Sequence, residues 1–256
     1  MKQSSVWLKK AGIIAFWVVL WQIGAVLIDN PIFLVGPLDT IRVLSVLAVS
    51  PDFWAAIWFS FARISLGFLI AFAGGLLTGT LSCWKPIIDD FLAPPIHFMK
   101  SIPVASFVIL ALIWTGSKNL SVFISFIVVY PMIHVNTLAG LRSTDPKLLE
   151  MAKVFRVPIW RQAMSIYRIS LYPYLASAMK TALGMGFKSG IAAEVIGVPT
   201  GSIGEGLYMS KIYLSTAELF SWTIVIICVS VLFEHAFLLL LKKAAGKGVV
   251  NKHADP

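Results

Sequence analysis

The chain has 256 residues and a formal net charge of +9, with 58% hydrophobic and 13% charged residues, against roughly 45–50% and about 25% in ordinary soluble domains. That composition excludes a soluble enzyme. It also excludes a nucleic-acid binder, because no soluble domain is left to carry a basic groove and the cations are spread over loops and tails.

The apolar residues come in runs at Ala11 to Ile28, Ile57 to Trp84, Ser101 to Trp114, Leu120 to Leu141, Leu171 to Gly197 and Ala217 to Leu241. Each approaches or exceeds the roughly 20 residues needed to cross a hydrocarbon core about 30 Å thick, which predicts six transmembrane helices. The first could pass for a signal peptide, with Lys9 and Lys10 before it, but it is longer than the usual apolar region and no small-x-small cleavage site follows Ile28, so it is expected to stay as an anchor. The third is long enough only if Phe91 to Met99 belongs to it. That stretch holds Pro94 and Pro95, with Pro103 just beyond, so a broken or kinked span is expected.

With six spans both termini share a side. The loops there carry Lys2, Lys9, Lys10, Lys85, Arg142, Lys147, Lys153, Arg156, Arg161, Arg168, Lys242, Lys243, Lys247 and Lys252, while the opposite loops carry only Arg42, Lys118 and Lys211. The positive-inside rule then puts both termini in the cytoplasm of a multi-pass protein of the bacterial plasma membrane. Cys83 and Cys228 are too far apart in the predicted topology to pair and read as small buried hydrophobes. His97, His134, His235 and His253 are scattered and make no metal-ligand pattern, so no metal site is expected.

Leu141 to Ile169, LRSTDPKLLEMAKVFRVPIWRQAMSIYRI, is a basic island between the fourth and fifth runs. Asp145 suits a helix N-cap and Pro146 the first helical position, and Leu148, Leu149, Ala152 and Phe155 are spaced to form an apolar stripe. Val157-Pro158 then ends the helix. Two or three turns are too few to be stable alone, so the stripe needs a cover, either lipid headgroups or a groove on another protein.

At this point the residues resemble the cytoplasmic loop of permease subunits in binding-protein-dependent ABC importers, in which Glu-Ala-Ala is followed by a glycine and later by a hydrophobic-proline pair. Glu150, Met151 and Ala152 match the first element, Arg156 stands at the glycine, and Tyr172-Pro173 match the pair. FSFARISLGFLIAFAGGLLTGTL (Phe59 to Leu81), SIPVASFVILALIWTG (Ser101 to Gly116), YPMIHVNTLAGLRSTDPKLLEMA (Tyr130 to Ala152) and AAEVIGVPTGSIGEGL (Ala192 to Leu207) are similar to the branch that imports nitrate, sulfonates, taurine, bicarbonate and related small solutes. The resemblance implies an all-α membrane protein with the type I ABC importer permease fold, about six transmembrane helices and a short cytoplasmic coupling helix. It implies one permease domain over residues 1–256, with a coupling loop at about 141–169. Asp145, Pro146, Leu149, Glu150, Met151, Ala152 and Arg156 would then meet a cytoplasmic ATPase subunit. Arg156 puts the family's sharp turn in doubt, because glycine permits a positive φ that arginine resists.

Charges inside spans are candidate functional groups, since each costs about 2.5–3.5 kcal/mol on insertion scales unless it meets water or a partner. Arg63 lies about two turns into the second run, and Lys180, Lys188 and Glu194 lie along the fifth. Lys180 and Lys188, eight residues apart, share a helix face, whereas Glu194 is swung away from it. Lys188, Glu194 and Arg63 are expected along a translocation pathway, where Lys188 attracts an anion and Glu194 braces a neighbouring helix near the outer face. The structural alternative has Arg63 and Lys180 snorkelling to opposite headgroup layers and Glu194 paired with Arg63. Gly67, Gly74, Gly75 and Gly79, and Gly184, Gly186 and Gly190, are expected where helices approach closely.

The outer segments are Asp29 to Asp52, with FLVGP at Phe33 to Pro37, and Gly197 to Thr216, where Gly201, Gly204 and Gly206 are expected to make turns. In the resembled family a solute-binding protein docks on that side, with Glu205 and Lys211 as possible contacts. An ATPase within the chain is excluded, because no GxxxxGK[ST] loop is present. The chain itself is therefore expected to hold no cofactor, ATP and Mg being bound by the partner ATPase. A self-sufficient secondary transporter is the alternative, but the halves show no inverted repeat and six spans are few for a whole pathway. Half a pathway implies a second permease copy, in a homodimer embedded in membrane lipid.

Overall fold

The computed structural model describes residues 2–245, with side chains described for Lys9 and for residues 11–243. Lys247, Lys252 and His253 lie outside the described residues, as do the side chains of Lys2 and Lys10. The described residues are helical nearly throughout, with no strand among them: α1 Lys2–Ile28, α2 Pro37–Leu47, α3 Pro51–Trp84, α4 Pro86–Ser101, α5 Val104–Arg142, α6 Pro146–Val154, α7 Ile159–Gln162, a π turn Ala163–Tyr167, α8 Arg168–Gly197, α9 Ile203–Ile212 and α10 Thr216–Ala245. Proline opens α2, α3, α4 and α6, where its missing N–H costs nothing.

Four stretches are long and apolar enough to cross a membrane: Ala11–Ile28, Pro51–Trp84, Val104–Arg142 and Thr216–Lys243. α5 runs for 39 residues, about 58 Å at 1.5 Å per residue, nearly twice the hydrocarbon thickness. It is two segments joined at Gly116, whose φ of 68° and ψ of 167° are not helical. α8, 30 residues long, is long enough to cross but carries Lys180, Lys188 and Glu194.

The break expected in the third run is present, at Pro103 rather than at Pro94 and Pro95. Both prolines lie inside a continuous α4, and the chain breaks at Ile102 and Pro103, both extended. The carbonyls that Pro94 and Pro95 leave unpaired belong to Asp90 and Phe91, which are exposed, so the helix survives them. Ile102, forced out of the helical region by the proline after it, cannot continue.

α3, α5 and α8 pack at glycine. A side chain at Gly67 would strike the backbone carbonyl of Val122, and Cβ atoms at Gly75 and Gly79 would come within 2.8 Å of Ile133 Cβ and 2.7 Å of Thr137 Cβ. On α8, Gly186 and Gly190 sit equally tightly against Val129 and Ile64. Gly184 meets nothing within 4 Å, so close packing does not explain it. Phe68, Ile133, Met179 and Leu183 fill the seam, and none is more than 1% exposed. α10 joins through an aromatic ladder in which Phe233 and Phe237 meet Phe68 at ring distances of 5.6 and 5.1 Å. Cys228, on the outer side of that helix, is exposed rather than buried, so the reading of both cysteines as buried hydrophobes fails there.

Among its described side chains, α1 is fastened to the rest of the chain near its C-terminal end. Trp21 Nε1 donates to the Val35 carbonyl at 2.9 Å and its ring lies 5.4 Å from Phe220. Residues 11–20 are exposed all round.

Candidate functional site

In the loop after α5 the Asp145 carboxylate accepts the Lys147 amide N–H at 2.9 Å, which caps α6. The apolar stripe is split by the fold. Ala152 is buried and Leu149 half-buried against the rest of the chain, whereas Leu148, Met151, Val154 and Phe155 are exposed. Glu150 stands exposed beside Met151. Ile159, Trp160 and Met164 extend the exposed apolar surface past the loop, and the Arg161 guanidinium covers the Trp160 ring at 5.2 Å. These three were missed in the sequence, although their place just after the Val157-Pro158 stop was a signal.

The sharp turn doubted at Arg156 is made. Arg156 has a φ of 49°, and Val157 N–H reaches back to the Ala152 carbonyl at 2.8 Å, while Arg156 N–H donates to Lys153 O at 3.1 Å. This is the helix-ending pair of bonds that usually recruits glycine. A left-handed conformation costs a non-glycine residue about 1–2 kcal/mol, and here the two bonds and the burial of Ala152 hold it. Arg156→Gly is therefore expected to raise the midpoint of heat inactivation in detergent by several degrees, at roughly 2–4 °C per kcal/mol for a chain of this size. A lower midpoint would mean that the Arg156 side chain itself holds the turn.

Along α8 the chain has two different faces. Met179 and Leu183 are buried against α3 and α5, and Phe187 and Ile191 against α3, α9 and α10, while Ser177, Lys180, Thr181, Met185 and Lys188 are exposed. Neither lysine forms an ion pair, and the one ion pair among the described residues joins Arg142 at the end of α5 to Asp89 of α4 at 2.8 Å.

Arg63 and Glu194 are not paired. The Arg63 guanidinium donates to Asn119 Oδ1 at 2.8 Å, just past the Gly116 break, and sits 4.7 Å over the Phe59 ring. Glu194 is fully buried near the end of α8, where its Oε2 accepts the Ser60 hydroxyl at 2.6 Å. Its carboxylate lies inside the packing of this chain, between α3 and α9, rather than on the exposed α8 face with Lys188. Ser60 was missed in the sequence; a serine in the apolar second run, able to donate to a buried acid, was the available clue.

Of the glycines expected to make turns, only Gly201 does, with a φ of 74°. Gly204 and Gly206 lie inside α9, because the backbone of Glu194 and the Trp222 ring leave no room for a side chain there. Ser202 caps α9 by accepting the Glu205 N–H at 3.0 Å. Thr40 and Ser221 tie α2 to α10, the Ser221 hydroxyl donating to the Thr40 carbonyl at 3.0 Å.

Residues 64–243, more than half of the chain, match the family described as binding-protein-dependent transport system inner membrane component. The chain belongs to that family. It is a multi-pass membrane protein and the permease subunit of an ABC importer, a transport component rather than an enzyme, which sets aside the self-sufficient transporter. A family of this kind works with an ATPase subunit and a solute-binding protein. Among similar proteins, the permease is 24% identical over 240 residues to one from Bacillus subtilis named for aliphatic sulfonates transport, SsuC, covering 93% of this chain and 86% of that one. It is 26% identical over 223 residues to the bicarbonate transport system permease protein CmpB of Synechococcus elongatus, covering 83% and 79%. It is 22% identical over 229 residues to the taurine transport system permease protein TauC of Escherichia coli, covering 87% and 81%.

Proposed function

We propose that this permease forms half of a translocation pathway for a small anion, that a second copy supplies the other half, and that α6 is the coupling helix of the ATPase. The observation that carries the reading is the exposed polar face of α8, Ser177, Lys180, Thr181 and Lys188, on a helix whose opposite face is in the core. A lysine at membrane depth faces water or a partner, and among the described residues none pairs with these two. A water-filled passage completed by a second copy meets that need. Gly184, which no neighbour crowds, leaves the same face open beside Lys188.

Six spans account for the helices. α1, α3, α8 and α10 are one each, α4 with the first part of α5 forms the third, and the rest of α5 after Gly116 forms the fourth. Both termini and α6 then face the cytoplasm, in keeping with the distribution of cations, and α2 and α9 lie outside, where the binding protein docks. Exposed Leu148, Glu150, Met151 and Phe155 form a surface for a cleft on the ATPase, which binds ATP and Mg. Sulfonate, bicarbonate and taurine, named for the three relatives, all carry an oxyanion group, and Lys188 is suited to attract one.

The test is uptake by proteoliposomes that contain the permease, its ATPase and its binding protein, with sulfonates and bicarbonate offered in turn. Lys188→Ala is expected to lower uptake of the transported anion about tenfold, equivalent to roughly 1.4 kcal/mol, with assembly unchanged. Undiminished uptake by that variant would remove Lys188 from the pathway.

A further inference from the structure

We propose that Glu194 is a positioning residue that latches α9 onto α3, and that docking of a loaded binding protein opens the outer side of the pathway by releasing this latch. The inference rests on the importer reading above and names the contact that docking has to break. Glu194 Oε2 accepts the Ser60 hydroxyl at 2.6 Å, and Ser60 Oγ in turn accepts the Ile203 N–H, the first of α9, at 2.9 Å. Ser60 thus relays the carboxylate to the helix start, where the N-terminal dipole favours negative charge. Gly204 lies directly on Glu194, with no space for a methyl group between them. α9 therefore sits on the last turn of α8 with Ile203, Gly204 and Ser210 buried and Met209, Lys211 and Ile212 exposed. A partner arriving from that side meets the exposed face, one helix diameter from the carboxylate.

The latch is costly to keep closed. Glu194 and Ser121 are both 0% exposed, and the Ser121 hydroxyl and the Gly204 backbone lie beside the carboxylate together with Ser60. Taking a carboxylate out of water is costly even when it is hydrogen-bonded, so the closed arrangement holds a group that water would stabilise. Lifting α9 breaks the Ser60 to Ile203 bond and some apolar packing, and hydration of Glu194 offsets that loss. An apolar residue at the same place would hold α9 shut with no such return. The carboxylate thus sets a closed state that is stable at rest and readily reversed.

The experiment uses the full complex, with Cys83 and Cys228 replaced by serine, Ala56→Cys introduced in the buried cluster that Ile203 of α9 completes, and uptake activity retained. Labelling of that cysteine by a membrane-impermeant maleimide from the outside is expected to be slow at rest. Addition of loaded binding protein and ATP should accelerate it by about 5- to 150-fold, the usual range of a coupling between two sites. Glu194→Gln keeps the shape but removes the charge, and is expected to abolish the acceleration while resting labelling stays slow. Labelling of Ala56→Cys at the same rate at rest and during active uptake overturns the latch, whether or not the Glu194 variant assembles. Absence of any ATP-driven uptake by the wild-type complex overturns the importer reading instead.

Discussion

Exchanging Glu150 for lysine is expected to stop ATP-driven uptake while leaving the permease folded and inserted. Glu150 is exposed on α6 and takes no part in the capping of the helix, which rests on Asp145 and Pro146. Exposed substitutions of that kind usually change stability by no more than about 0.5 kcal/mol. The effect falls on the partner surface, where a like charge set against a complementary site costs several kcal/mol. Uptake should therefore drop about a hundredfold or more, and the ATPase should no longer copurify in stoichiometric amount. A reversed charge on the ATPase that restores uptake would locate the contact. Uptake at the wild-type level would take the coupling role away from Glu150.

Gly67→Ala is expected to damage the fold severely. The added carbon would meet the backbone carbonyl of Val122, which cannot rotate away as a side chain could. Overpacking in a close seam typically costs about 1–3 kcal/mol and occasionally more, and this seam joins the two longest helices of the chain, α3 and α5. Expression and the midpoint of heat inactivation in detergent should both fall sharply. Gly184→Ala is the control. Nothing lies within 4 Å of that position, and alanine favours a helix over glycine by about 1 kcal/mol, so its stability should be unchanged or slightly raised. Equal stability of the two variants would contradict the close approach of α3 and α5.

The parts of this structure that were legible in the sequence are those set by local chemistry or by uninterrupted oiliness. The apolar runs mark α1, α3, α5 and α10 because burying or embedding them needs no particular partner. Asp145-Pro146 marks the start of α6 because a cap acts within three residues. Lys180 and Lys188 share an exposed face because helical spacing puts them there. What the sequence hid depends on neighbours far along the chain. α9 reads as glycine-rich turns until Glu194 and Trp222 are seen to exclude side chains from Gly204 and Gly206. Arg156 reads as a poor turn residue until its amide and that of Val157 are seen closing back on α6. Pro94, Pro95 and Pro103 all read as places for a break, and which of them breaks the chain is settled only in the fold, where Pro103 does. The pairing of Glu194 with Ser60 joins residues 134 positions apart, a distance over which charge and periodicity say nothing.

The loose fastening of α1 has a mechanical consequence. A rod pinned near one tip by Trp21 and bare along residues 11–20 adds little to the internal cohesion of the bundle. If α6 is the coupling helix proposed above, load applied there would pass through its neighbours α5 and α8 into α3 and bypass α1. The amino-terminal rod would then be free to swing about Trp21 as the bundle tilts, a stay rather than a strut.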